Sequence, residues 1–420
     1  MRHGLWSSES TFALPAAITL AVLVAASDLR AQDWPQWRGP TRDGQALGLT
    51  PPKIWPKDLK RAWRATVGVG HSSPVVAGER TFVFTRVGED EVVSAFDLAT
   101  GKPSWERRYA APYTMNPAAT SHGKGPKSTP LVNDGRVFTL GISGILSCLD
   151  AATGRIQWQK EFARQFKTTS PLFGAAASPI IEGGLLIVHV GGHDDGALTA
   201  FDPATGAVRW ALKGEGPGYA SPVVAAIGGV RQLITQTQTR IVGVDPVKGG
   251  LLWAIPFTTD YDQNAITPLV MGDLVLYSGV DKPLRAVRPV RKGSAWVVTP
   301  AWEAADVALY MSSPIAVGGR LFGFSQRKKG QLIALDPKTG RALWMGEGRQ
   351  GDNAALVALG GSVLALTDAG RLVVFDAAAT GYAPLATYTV AESATWAHPA
   401  PVRGGFLVKD LDSLTMYRLE

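Results

Sequence analysis

His71, His122 and His398 are three of the six histidines in this 420-residue chain. Each stands at or shortly before a proline that opens an apolar run: Ser73-Pro74, Thr129-Pro130 and His398-Pro399. Neutral imidazoles gathered in one place would ligate a metal, and a single one would serve as acid or base near neutral pH. The stretch Ser121-His122-Gly123-Lys124-Gly125-Pro126-Lys127 adds Lys124 and Lys127. Its two glycines leave backbone N–H groups free for an anion. Tyr219, Gln263 with Asn264, Tyr310 with Met311, Asp352 with Asn353, and Trp396 lie ahead of other such openings. Two readings follow. In one, these groups converge on a concave pocket for a small molecule or peptide, or on a metal. In the other, the loops are polar and solvated, and their Gly and Pro serve turns.

Other chemical signals are weaker. His193-Asp194-Asp195-Gly196 resembles a Ca²⁺ loop only faintly and reads as a hairpin turn between two β-runs. Cys148 is the single cysteine, which excludes a disulfide within the chain and any multi-cysteine metal or haem motif.

The elements that must position these residues announce themselves by repetition. The phrase Asp-x-x-Thr-Gly followed by Trp four residues after the Gly occurs at Asp97 (Trp105), Asp150 (Trp158), Asp202 (Trp210) and Asp336 (Trp344), with Asp245-Pro246-Val247-Lys248-Gly249 (Trp253) as a variant. Asp376 heads a looser copy, and a degenerate one lies around Ala286–Pro289 with Gly293 and Trp296. The spacing, about 46 residues, is that of a four-stranded propeller blade. In each copy the Asp bonds its own backbone, the Gly supplies positive φ, and the Trp docks on a neighbouring repeat. A small residue and Pro mark six openings, from Ser73-Pro74 to Ser313-Pro314. A seventh near Ala354 lacks the Pro, and the eighth is His398-Pro399. The eighth repeat is short by a strand, which residues 60–66, Trp63 included, would supply. The expectation is all-β: one eight-bladed β-propeller over 60–420, closed by an N-terminal strand so that no long sheet edge stays open. Residues 32–59 are expected to form an N-terminal arm. The functional loops then gather at one mouth of the central channel.

The repeated phrase resembles the tryptophan-docking motif of the quinoprotein (pyrroloquinoline quinone, PQQ) β-propeller superfamily. Residues 33–44, Asp33-Trp34-Pro35-Gln36-Trp37-Arg38-Gly39-Pro40-Thr41-Arg42-Asp43-Gly44, are similar to the N-terminal signature of exported PQQ-like repeat proteins. The resemblance implies two branches. One is PQQ-dependent dehydrogenases, with PQQ in the funnel, usually under a Cys-Cys disulfide, and Ca²⁺ on Glu, Asn and Asp. The other is the cofactor-free group, which includes BamB-type assembly lipoproteins. One cysteine removes the disulfide, and no Glu/Asn/Asp set is placed by motif. The expectation is therefore a non-catalytic binding or scaffold module with no cofactor and no metal. It would present His71, His122, Lys124, Lys127, Tyr219, Asn264, Tyr310, Asn353, Trp396 and His398 to a protein, peptide or envelope ligand. A PQQ- and Ca²⁺-dependent oxidoreductase is the alternative.

Residues 1–31 read as a secretory signal, with an apolar stretch over 13–26 and cleavage after Ala26 or Ala31. That stretch is too short for a membrane span. The chain is expected in the periplasm or outside the cell, as a monomer, peripheral to a membrane at most. Net charge is +7 and the pI about 9.4. The longest basic run, Arg327-Lys328-Lys329, is a loop signal, and no nucleic-acid partner is expected.

Overall fold

In the computed structural model, Met1 and residues 33–419 are described. The signal-peptide expectation falls on residues outside that range. Of the two compact units, Met1–Arg30 and Ala31–Glu420, the architecture concerns the second.

Eight four-stranded antiparallel sheets follow one another as blades. Their innermost strands begin at Val75, Leu131, Ile180, Val223, Leu269, Ile315, Ala354 and Ala400. The eighth blade is completed by Lys60–Thr66, which pairs antiparallel with Ser413–Arg418, Lys60 opposite Arg418 and Thr66 opposite Ser413. The ring is thus closed by hydrogen bonds between the two ends of the described chain. Deleting residues 55–67 should leave Ser413–Arg418 as an open edge. Soluble yield and monomer fraction by size-exclusion chromatography should both fall, and a monodisperse deletion variant would contradict this account.

The repeated turn has a local cause. Asp97 Oδ1 accepts from the Thr100 amide at 2.8 Å and the Thr100 hydroxyl at 2.6 Å. Gly101 exits at φ 70°, and a Cβ there would lie 2.5 Å from the Trp63 ring. The glycine is needed for conformation and for room. Trp63 Nε1 donates to Leu98 O of blade 1 at 3.0 Å. Trp105, Trp158 and Trp210 repeat the contact with Ala151, Pro203 and Pro246 carbonyls, each at 3.1 Å.

Two tryptophans depart from the pattern. Trp253 donates to Gln232 Oε1 of its own blade, because blade 5 lacks the Asp-turn-Gly. There Lys282–Lys292 and Ala295–Ala304 form a long hairpin instead. Trp344 packs among Phe322, Phe375 and Tyr382, and its Nε1 has no acceptor among the described residues. The turn it faces, Asp376 to Gly381, is one residue longer than the others. The degenerate repeat also needs correction. Trp302, not Trp296, contacts the next blade, through Pro337 O at 2.9 Å. The extended hairpin shifts the equivalent position by six residues.

The Ser or Thr before each proline is explained by a ring of hydroxyl bonds. His398 N donates to Ser73 Oγ, Ser73 N to Thr129 Oγ1, Thr129 N to Ser178 Oγ, and Ser178 N to Ser221 Oγ. Thr267 N donates to Ser313 Oγ. Each hydroxyl satisfies the buried amide of an adjacent blade at a point where the following proline offers none.

Residues 34–46 run along the channel axis rather than lying against the rim. Trp34 exchanges backbone bonds with Val76 of blade 1, and Pro35 O accepts from Val132 N of blade 2. Arg42 reaches Ser178, Pro179 and Pro222 carbonyls of blades 3 and 4. Trp37 Nε1 donates to Thr267 Oγ1 of blade 5 at 2.8 Å. Arg38 and Gln45 reach Pro314 O and Ala316 O of blade 6, and Gly44 and Ala46 bond Ala358 of blade 7. The Trp37 ring stacks on His398 of blade 8, centroids 4.4 Å apart. One segment therefore touches every blade, as a hub.

Candidate functional site

The loops that feed the innermost strands enclose a cavity of about 220 Å³ at one mouth of the channel. Its floor is Trp37 of the hub, and His398 lies against that floor. Trp396, His71 and His122 form one wall: the Trp396 ring is 4.8 Å from His122 and 6.1 Å from His71. Phe173, Tyr219, Tyr310 and Met311 line the rest, with Gln263, Asn353 and Lys127 as its amides and cation.

Eight of the ten expected residues meet here: His71, His122, Lys127, Tyr219, Tyr310, Asn353, Trp396 and His398. Lys124 and Asn264 do not line the cavity. Lys124 is half-buried and pairs with Glu89 at 3.4 Å, because Gly125 packs against Gly70 and turns the chain away. Asn264 is buried, and its side-chain amide donates to the carbonyls of Phe257, Thr237 and Gln238, bracing its own loop. The adjacent Gln263 faces the cavity instead. Trp37 and Phe173 line the cavity without having been singled out by sequence. The signature at residues 34–37 is the signal that points to the first.

The histidines are neutral and differ in wiring. His71 Nε2 lies 2.9 Å from His122 O, and since a carbonyl only accepts, Nε2 carries the proton. Burial first, then the Lys409 charge, pushes the His71 pKa down to about 3. Burial lowers His398 likewise to about 3, aided by the charge of Arg38. His122 is also lowered, by burial and by Lys127. Neutral imidazoles suit hydrogen bonding and stacking. Lys127 Nζ donates to Phe173 O at 2.7 Å, and burial lowers its pKa to about 8. Tyr219 Oη accepts from Phe173 N at 3.2 Å, and burial raises the phenol. Asn353 Oδ1 accepts from Ser312 Oγ at 2.6 Å, and its main-chain N–H donates to Asp368 Oδ1.

Lys127 is the sole charged side chain among the lining residues, and none of them is a carboxylate. Among the described residues, no group of three His, Cys, Asp or Glu is arranged to hold a metal. His193 to Gly196 form the turn between Leu185–Val190 and Ala197–Phe201. Asp195 Oδ2 there accepts from Lys167 N. No helix among the described residues is long and apolar enough to cross a membrane.

The comparisons with known proteins agree with this architecture. The family model described as outer membrane protein assembly factor BamB matches residues 55–123 and 89–346. BamB of Yersinia pestis is 23% identical over 303 residues, 68% of this chain and 70% of that protein. The quinohemoprotein alcohol dehydrogenase of Comamonas testosteroni superposes with a TM-score of 0.69 at 16% identity, over 94% of this chain and 81% of the other. BamB of Moraxella catarrhalis gives 0.61 at 16% identity, over 86% and 97%. At that identity the two structural likenesses speak for the fold alone.

Proposed function

This chain belongs to the PQQ-like β-propeller family described as outer membrane protein assembly factor BamB, and from that premise we propose that it is an exported, non-catalytic scaffold. Its channel-mouth cavity receives an apolar or aromatic side chain of a protein or peptide partner. The observation that carries this reading is the wall itself: aromatic rings, neutral imidazoles and amides, one ammonium and no carboxylate. Such a surface buries apolar area and orients a few hydrogen bonds, which is what recognition needs. Export to the periplasm rests on the sequence of residues 1–31 and on the relatives named for outer-membrane assembly.

The oxidoreductase reading requires PQQ and Ca²⁺ together. Trp37 and Trp396 would accept a planar ring. Calcium takes six to eight oxygen ligands, carboxylates prominent among them. This wall supplies Gln263 and Asn353 amides, hydroxyls and imidazole nitrogens. The residues present do not fit the metal–quinone pair, so no redox step is derived for this site.

Calorimetric titration with PQQ in the presence of CaCl₂ should give only heats of dilution, and dye-linked alcohol or sugar oxidation should be absent. Sub-micromolar binding, worth more than about 8 kcal/mol, would overturn the non-catalytic reading. Photo-crosslinking to envelope extract should then yield a partner whose capture drops more than about tenfold in Trp396→Ala, as for a central aromatic anchor. Equal capture by wild type and variant would mean that another surface binds.

A further inference from the structure

The hub buries two guanidinium groups and pairs them unequally. Arg42 is satisfied: Nε bonds Pro222 O, Nη1 bonds Pro179 O and Gln36 Oε1, and Nη2 bonds Ser178 O. Arg38 is not. Its Nη2 donates to the carbonyls of Asp43 and Pro314, while Nε and Nη1, both buried, meet no acceptor among the described residues. Arg38 is wholly inaccessible to solvent. Arginine keeps its proton in proteins, so this is a buried positive charge with two idle donors.

The surroundings do not neutralise it. Among the described residues, Asp43 is the one carboxylate that bears on Arg38, and its Oδ1 is engaged by the Thr41 hydroxyl and the Gln45 amide. Against Arg38 and Arg42, Asp43 leaves one positive charge over. His398 shares this neighbourhood, since the Arg38 charge acts on it, and its buried Nδ1 also has no partner among the described residues. A buried charge left unpaired is among the costliest arrangements in a protein interior. One negative ion would take up both features, the residual charge and the unpartnered nitrogens.

We propose that the axial channel binds a single monovalent inorganic anion of the halide class, held by Arg38 Nε or Nη1 with His398 Nδ1–H as second donor, beneath the Trp37–His398 floor. Arg38 lies outside the set of residues that line the cavity while His398 is one of them, so the anion site adjoins, through His398, the one that receives a partner. The anion acts as a structural keystone: it lets the hub carry the arginine that ties blade 6 to the axis.

The test uses the full chain exchanged into sodium gluconate, with sodium bromide added back at constant ionic strength. The thermal midpoint should rise saturably with bromide. A Lys338→Met variant, which removes one exposed cation, should behave like wild type. Arg38→Lys, which keeps the charge but not the fork of donors, should weaken the apparent bromide affinity about tenfold, as expected for loss of a hydrogen bond to a charged group. Should Arg38→Lys fail to fold, wild-type crystals grown in bromide decide the matter. An anomalous peak within hydrogen-bonding reach of Arg38 supports the site. A midpoint indifferent to bromide, an equal bromide response in Arg38→Lys, or crystals with no peak at the channel axis would each overturn it.

Discussion

Replacing Trp34 by Ala should destabilise the protein by roughly 3–5 kcal/mol, as much as Trp158→Ala, the range for truncating a large buried aromatic. An appended arm would predict a far smaller loss for Trp34. The structure gives the opposite geometry. Trp34 is 1% exposed and belongs to the cluster that joins Val76, Leu366, Val374 and Phe406 of blades 1, 7 and 8. Its backbone pairs with Val76 in both directions at 2.9 Å. Its ring lies so close to Gly39 that a Cβ there would come within 2.6 Å. Trp158 is half-buried but bonds the next blade through Pro203 O. Losing either ring leaves a void between elements that cannot collapse without moving a whole blade. Chemical denaturation of the two variants in parallel is the measurement. A Trp34→Ala loss near 1 kcal/mol would show that the hub is dispensable to the ring.

Glu91→Gln should stabilise the protein at alkaline pH and leave it nearly unchanged in mild acid. Glu91 lies on Asp90–Asp97 of blade 1 with no exposed surface. Its Oε1 accepts from Ile142 N of blade 2 at 2.7 Å. Burial, the largest cause, raises its pKa from 4.5 to about 7, against smaller opposing hydrogen bonds from Ile142 and Tyr109. The sign follows from a raised folded-state pKa. The folded protein holds this proton more tightly than the unfolded chain does. The contribution is fully present below about pH 4.5 and is lost as pH rises through about 7. Gln keeps the acceptor for Ile142 and removes the charge that would form. Each tenfold change in proton affinity between the folded and unfolded chains corresponds to about 1.36 kcal/mol. At pH 8.5 the variant should therefore be more stable by about 3 kcal/mol. Buried His71, His189 and His398 also make stability pH-dependent, but toward acid, and they do so equally in both proteins. Parallel wild-type and variant midpoints from pH 5 to 8.5 would sink the assignment.

The repeat structure was accessible from residue order because its causes are local. An Asp that caps its own turn, a Gly at positive φ and a Trp at fixed offset recur because each blade solves the same problem with neighbouring residues. The Ser/Thr before proline marks six of the eight blades, because its hydroxyl can serve the buried amide of the blade beside it. Blade number and closure by residues 60–66 follow from counting those marks. The pattern misleads where the local chemistry changes: at the blade 5 hairpin, which moves the docking position from Trp296 to Trp302, and at the longer Asp376 turn that Trp344 faces.

What the order of residues did not disclose is where single-copy segments go. Most partners of Trp34 to Ala46 are backbone carbonyls and amides, as far along the chain as Ala358, and a carbonyl has no signature in a sequence. Nothing about Arg38 and Arg42 as letters says that they lie on an axis rather than on a surface. The cavity was accessible as a cluster of loops but not residue by residue. Lys127 faces it and Lys124 does not, because a glycine packed on Gly70 turns the chain between them. Gln263 faces it and Asn264 does not, because three backbone carbonyls compete for the Asn264 amide. Local hydrogen bonding wrote the blades into the sequence. The channel was decided by long-range packing, which brings together groups whose only relation is that the ring closes around them.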